Sequence, residues 1–104
     1  MENLNEYIEH IKADYAKWDR NPNDEVRQEM IRDFNITIRC EVGRKYAKII
    51  QGGSVHSFIC LKDDSKFKAG DILMAASWTT PARNFARGNI FEKKWDRVRW
   101  TGAL

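Results

Sequence analysis

Residues 36–61 read ITIRCEVGRKYAKIIQGGSVHSFICL, and their spacing decides the fold. Ile36, Ile38, Cys40 and Val42 alternate with Thr37, Arg39 and Glu41. A period of two is the signature of a strand with one buried face. Gly43 marks a turn, and Arg44–Gln51 forms a second strand. Gly52-Gly53 is a two-residue hairpin signal of the primed type, followed by a third strand over Ser54–Leu61. Three strands joined by tight turns predict an antiparallel sheet.

Upstream the period is 3.6. Leu4, Tyr7, Ile8, Ile11, Tyr15 and Trp18 lie on one face of a helix over 3–19. Asn3 and Glu6 have the spacing of a capping box. Arg20-Asn21-Pro22-Asn23 breaks that helix. A second helix is expected over 24–34, capped by Asn23, with Val26, Met30 and Phe34 inward. Residues 1–35 thus form a helical hairpin and 36–104 an antiparallel β region, together one domain.

Downstream, Lys62-Asp63-Asp64-Ser65 and Lys68-Ala69-Gly70-Asp71 are polar turns. Ile72–Ala76 is a short buried strand. Ala82–Ala86 has room for one helical turn, and a last strand is expected over 95–101, with Arg97 and Arg99 on one face. The fold class is α+β: an N-terminal helical hairpin packed on a small curved antiparallel sheet or SH3-like barrel.

The chain has 104 residues, 42% apolar and 32% charged. That supports one core and excludes wholesale disorder. No run approaches the roughly 18–20 apolar residues of a membrane span, and the acidic first twenty residues do not resemble a signal peptide. Two cysteines, each in an alternating apolar pattern, read as buried thiols in a reducing cytoplasm. The net charge of +3 conceals a division. Residues 1–35 carry nine acidic and five basic side chains, and 36–104 carry thirteen basic and six acidic ones. A basic body attracts phosphate.

Catalytic and metal chemistry find little support. The two histidines, His10 and His56, have no close second ligand of the kind zinc sites use. His56 and Ser57 are neighbours on a strand, so alternation sends them to opposite faces and denies them a direct pair. A small hydrolase or nuclease would need His56 brought to Asp63 or Asp64 by folding. No phosphate-binding glycine loop is present, and no cofactor is implied.

The feature above background is basic and aromatic. Arg83, Arg87, Lys93, Lys94, Arg97 and Arg99 are interleaved with Trp78, Phe85, Phe91, Trp95 and Trp100. Cations neutralise phosphates, and flat rings stack on unpaired bases. The expected nucleic-acid-binding residues are Trp78, Arg83, Phe85, Arg87, Lys93, Lys94, Arg97 and Arg99, contacting DNA or RNA. The bland reading is that the tryptophans are core and the arginines ordinary strand surface. The alternative function is protein interaction, with a host factor or as a homo-oligomer, aided by the charge division.

Two resemblances accompany these readings. FKAGDILMA (67–75) resembles the turn-then-strand entry of SH3-like small barrels. WTTPARNFARGN (78–89) and VRWTGAL (98–104) resemble small uncharacterised proteins of tailed bacteriophages, which implies an accessory protein in the cytoplasm of infected cells and supplies no activity.

Overall fold

The computed structural model describes residues 2–17, 25–99 and 101–103. Its elements are α1 (Glu2–Lys17), α2 (Glu25–Thr37), β1 (Ile38–Val42), β2 (Tyr46–Gln51), β3 (Ser54–Cys60), β4 (Ile72–Met74), β5 (Val98–Arg99) and β6 (Gly102–Ala103). The architecture is α+β, with both helices preceding the sheet. Strands β1–β4 form an antiparallel meander in sequence order, and β5 and β6 form a small separate hairpin. No described helix is long and apolar enough to cross a membrane. Residues 18–24, which include Trp18 and the expected breaker and cap, lie outside the described residues, as does Trp100.

The apolar stripe of α1 does what its spacing predicts. Leu4, Tyr7, Ile11 and Tyr15 are buried against Ile49, Ile59, Ile72, Ile90 and Val98 in one core. Burial at about 25 cal/mol per Å² makes this face, rather than intrinsic propensity, the source of helix stability. Asn3 is not a cap: α1 already runs at Glu2, and the Asn3 amide instead donates to the Ile90 carbonyl at 3.3 Å. In α2, Phe34 is buried and stacks on Tyr15 with centroids 4.0 Å apart. Ile31 packs beside the core, but Met30 faces outward. Phe34 thus faces inward as expected and Met30 does not, while the Val26 side chain lies outside the described residues; α2 continues to Thr37, three residues beyond its expected end.

The second face of the sheet carries a smaller cluster of Phe58, Cys60, Phe67 and Leu73, with Tyr46, Val55, Ala75 and Ala86 against it. Gly52 enters the β2–β3 turn at φ +60°, the left-handed conformation the glycine pair anticipates. The β2–β3 ladder contains one irregularity. Ile49 pairs with Ser57 but Ile50 pairs with Val55, so His56 is an extra residue in a β-bulge.

Residues 82–90 form no helical turn. The segment meets β4 at its two ends, where Ala82 N–H donates to the Met74 carbonyl, Arg87 N–H to Ile72, and Ile72 N–H to Gly88, and residues 83–86 loop out between them with a bend at Asn84. Pro81 disfavours helix only in the residues before it, so the bonds to β4, which satisfy its outer edge, set the course of the segment that follows. The last strand is also shorter than expected. Val98 N–H donates to the Trp95 carbonyl at 3.0 Å, which closes a turn over 95–98. Arg97 therefore sits in a turn and not on a strand face with Arg99.

Gly88 holds the packing of this segment. Its φ is +153°, and a Cβ there would collide with the Lys94 carbonyl. Gly88→Ala is expected to destabilise the domain by on the order of 3 kcal/mol. In a thermal melt this reads as a midpoint lowered by roughly 10 °C or more.

Candidate nucleic-acid interface

The cations expected to bind phosphate fall into different settings, decided by what each folds against. Arg83 is tied inward. Its Nη2 donates to Asp64 Oδ2 at 2.9 Å, its Nη1 to the Tyr46 hydroxyl at 2.5 Å, and its guanidinium lies 4.9 Å from the Phe67 ring centre. Lys66 Nζ donates to the Arg83 carbonyl. Asp64 is the organiser. Its Oδ1 accepts the N–H groups of Lys66 and Phe67 at 2.8 and 2.7 Å, and Lys45 Nζ approaches its Oδ2 at 3.6 Å. Those backbone donors, Phe67 foremost, and then Arg83 hold the Asp64 carboxyl well below the usual carboxylate range. Asp63 accepts Ala69 N–H at 2.7 Å. The carboxylate pair is turn chemistry, as its polar setting anticipates.

Arg87 is buried. Its Nη1 donates to Asn84 Oδ1 at 2.6 Å and the Phe85 carbonyl at 2.8 Å, and its guanidinium stacks on the Phe85 ring at 3.9 Å. Burial, then the charge of Arg97, pull its pKa down. Lys93 adopts φ +55° and pairs with Glu6 of α1 at 3.2 Å. Asn89 governs this turn. Its Oδ1 accepts the N–H groups of Phe91 and Glu92, and its Nδ2 donates to Asp71 Oδ1 and the Ala69 carbonyl. All its polar capacity toward the protein is in use, so it reads its own loop.

Three expected cations remain outward. Lys94, Arg97 and Arg99 are exposed and form no ion pair among the described residues. The Arg97 guanidinium lies 5.6 Å from the Phe85 ring centre, and that ring is 46% exposed. Trp78 is also 46% exposed, which rules out a core role for it. Lys48 Nζ sits 4.9 Å from the Trp78 ring centre and 5.9 Å from that of Phe58. Folding thus brings Phe85, Arg87 and Arg97 together, and separately Trp78 with Lys48. It places Arg83 with Asp64 and Lys93 with Glu6.

Sequence patterning did not single out Lys48. It lines an open depression with Glu41, Gly43, Arg44, Lys45, Tyr46 and Phe58. Its parity with Tyr46 in β2 puts both on the face away from α1, which period-two counting could have revealed. That Trp78 returns to this face was not legible locally.

The bulge overturns one expectation. His56 and Ser57 do pair, with His56 Nδ1 and Ser57 Oγ 2.8 Å apart. The extra residue breaks alternation, so both turn toward α1. A carbonyl can only accept, so His56 Nε2 carries the hydrogen donated to Arg99 at 2.6 Å. Nδ1 then accepts from Ser57, whose oxygen accepts from the Tyr7 hydroxyl at 2.7 Å. This chain is buried and complete. Ser57 is inaccessible to substrate, and neither Asp63 nor Asp64 joins His56. Among the described residues, no three His, Cys, Asp or Glu side chains gather as a metal site. Cys40 and Cys60 are free thiols.

Residues 1–103 match a family of unknown function, DUF7717, and the chain belongs to that family. No curated protein and no solved structure shows significant similarity to it.

Burial lowers the His56 pKa below its ordinary 6.5, outweighing the bond to Arg99. The unfolded chain therefore takes up the proton first as pH falls. The stabilisation is complete above the unfolded value and is lost as pH drops below it toward the folded value. The urea midpoint should fall between about pH 7.5 and about pH 5.5, and His56→Gln should flatten that dependence.

Proposed function

We propose that the chain is a small, non-enzymatic nucleic-acid-binding protein that contacts phosphates with cations and unpaired bases with exposed rings. One observation carries the reading. Two half-exposed rings, Trp78 and Phe85, each have beside them a cation without an ion pair among the described residues, Lys48 and Arg97 respectively. A half-exposed ring with such a cation over it offers stacking and charge neutralisation within one nucleotide's reach. Lys94 and Arg99 add charge. Arg83 and Arg87, committed to internal partners, hold the loop and contribute little to the ligand. Base readout is not required by this arrangement, so binding should be largely independent of sequence.

The resemblance of 78–89 and 98–104 to phage proteins adds a setting to the proposal: an accessory role in the cytoplasm of an infected cell. A second reading, self-association, rests on a different observation: the outer edge of β1 takes no hydrogen bond among the described residues.

Fluorescence anisotropy with a labelled single-stranded oligonucleotide tests the main reading. Affinity should fall steeply with salt. Trp78→Ala and Phe85→Leu should each weaken binding by about fivefold or more, the cost of about 1 kcal/mol or more in lost stacking. Arg97→Ala should reduce the slope of log affinity against log salt by about 0.7, the contribution of one phosphate contact to a single strand. Arg83→Lys should leave affinity unchanged. No binding at about 50 mM salt removes the proposal.

A further inference from the structure

We infer that two copies of this chain associate through the outer edges of β1, as a two-fold antiparallel strand pair centred on Cys40. The sheet has two ends. The outer side of β4 is bonded to residues 82–90, whereas the outer side of β1 takes no hydrogen bond among the described residues. The groups left free there can be named. At one end of β1 the Thr37 carbonyl accepts Gly52 N–H at 3.3 Å, and at the other Gly43 N–H donates to the Tyr46 carbonyl at 2.9 Å. Odd-numbered positions therefore face β2. Alternation leaves the amides and carbonyls of Cys40 and Val42 and the carbonyl of Ile38 pointing outward, a template for another strand, while the Ile38 amide closes the last turn of α2.

The side chains select which strand fits. The sequence Ile-Arg-Cys-Glu-Val is self-complementary about its centre. With Cys40 opposite Cys40 of the second copy, Arg39 faces Glu41 of that copy on one surface of the sheet, and Ile38 faces its Val42 on the other. Sliding by two residues in either direction, the smallest shift that keeps the outward amides and carbonyls paired, sets Arg39 against Arg39, or Glu41 against Glu41. Like charges directly opposite are disfavoured, so charge fixes the register. Within one chain Arg39 and Glu41 are only 4.0 Å neighbours, and both are well exposed. Val42 is 65% exposed and gains an apolar neighbour in the pair. A lone edge guarded against aggregation needs charge, but has no need for opposite charges placed symmetrically about a half-buried cysteine. The pairing is isologous and closes at two copies, extending the meander to eight strands.

Sedimentation velocity without nucleic acid, at high micromolar protein, tests this independently of the binding proposal. The natural chain is expected to sediment as a dimer. A short bismaleimide should join it covalently through Cys40, since Cys60 is buried. Arg39→Glu and Glu41→Arg should each raise the dimer dissociation constant by about tenfold or more, with circular dichroism unchanged because both sites are exposed. The double exchange Arg39→Glu/Glu41→Arg should restore both the dimer and the cross-link. A monomeric natural chain overturns the inference. So does a dimer indifferent to the single reversals, or one that the double exchange fails to recover.

Discussion

A buried chain of hydrogen bonds, from the Tyr7 hydroxyl through Ser57 and His56 to the Arg99 carbonyl, joins parts of the protein that sequence keeps far apart. Tyr7 belongs to α1, Ser57 and His56 to the bulged β3, and Arg99 to the terminal hairpin. Each donor has one acceptor, and no charge is buried in it. In a low-dielectric interior such a chain is valuable only when complete, because a single missing member leaves the others unsatisfied. The rings reinforce it: Tyr7 meets both His56 and Trp95 edge-on, with centroids 6.2 Å apart in each case. The hairpin is thereby anchored to the core although β5 and β6 are only two residues each. Val98 is fully buried beside it, and the side chains of Arg97 and Arg99 project from a fixed base.

The long segment between β4 and β5 has little regular structure, and polar side chains take the place of a ladder there. Asp64 and Asn89 each gather several donors from one loop and pass a further bond to a distant partner. This consumes cations. Arg83 completes Asp64, Lys93 reaches Glu6, and Arg87 closes around Asn84 and Phe85. The basic surplus of 36–104 is therefore divided between charges that hold the fold and charges that face outward. A linear count does not distinguish these two groups.

What could be read in advance obeys the same physics. Helix α1 and strand β1 were legible because each shows one period over several residues, and β2 and β3 because glycine turns bound short apolar runs. The glycine pair at 52–53 and the aspartates at 63–64 were legible because their turn chemistry is local. Three features were not. The bulge at His56 adds one residue without any composition signal, and it reversed the expected relation of His56 to Ser57. The run 82–90 takes its conformation from bonds to β4 at its two ends, so its own sequence suggests other possibilities. The burial of Arg87 depends on the Asn84 and Phe85 groups curling back onto it. Tertiary partners decided each case, and for the candidate interface they decided which cations remain free.

If outward cations beside exposed rings receive the ligand, the contact must register at those residues and not elsewhere. An NMR titration of the labelled protein with a single-stranded oligonucleotide tests this most directly. The Trp78 indole N–H and the backbone amides around Phe85 and Arg97 should shift together and saturably, while the amides of Lys66 and Phe67 beside the Arg83–Asp64 pair stay in place. Shifts confined to the helices, or a spectrum that does not change, would contradict it.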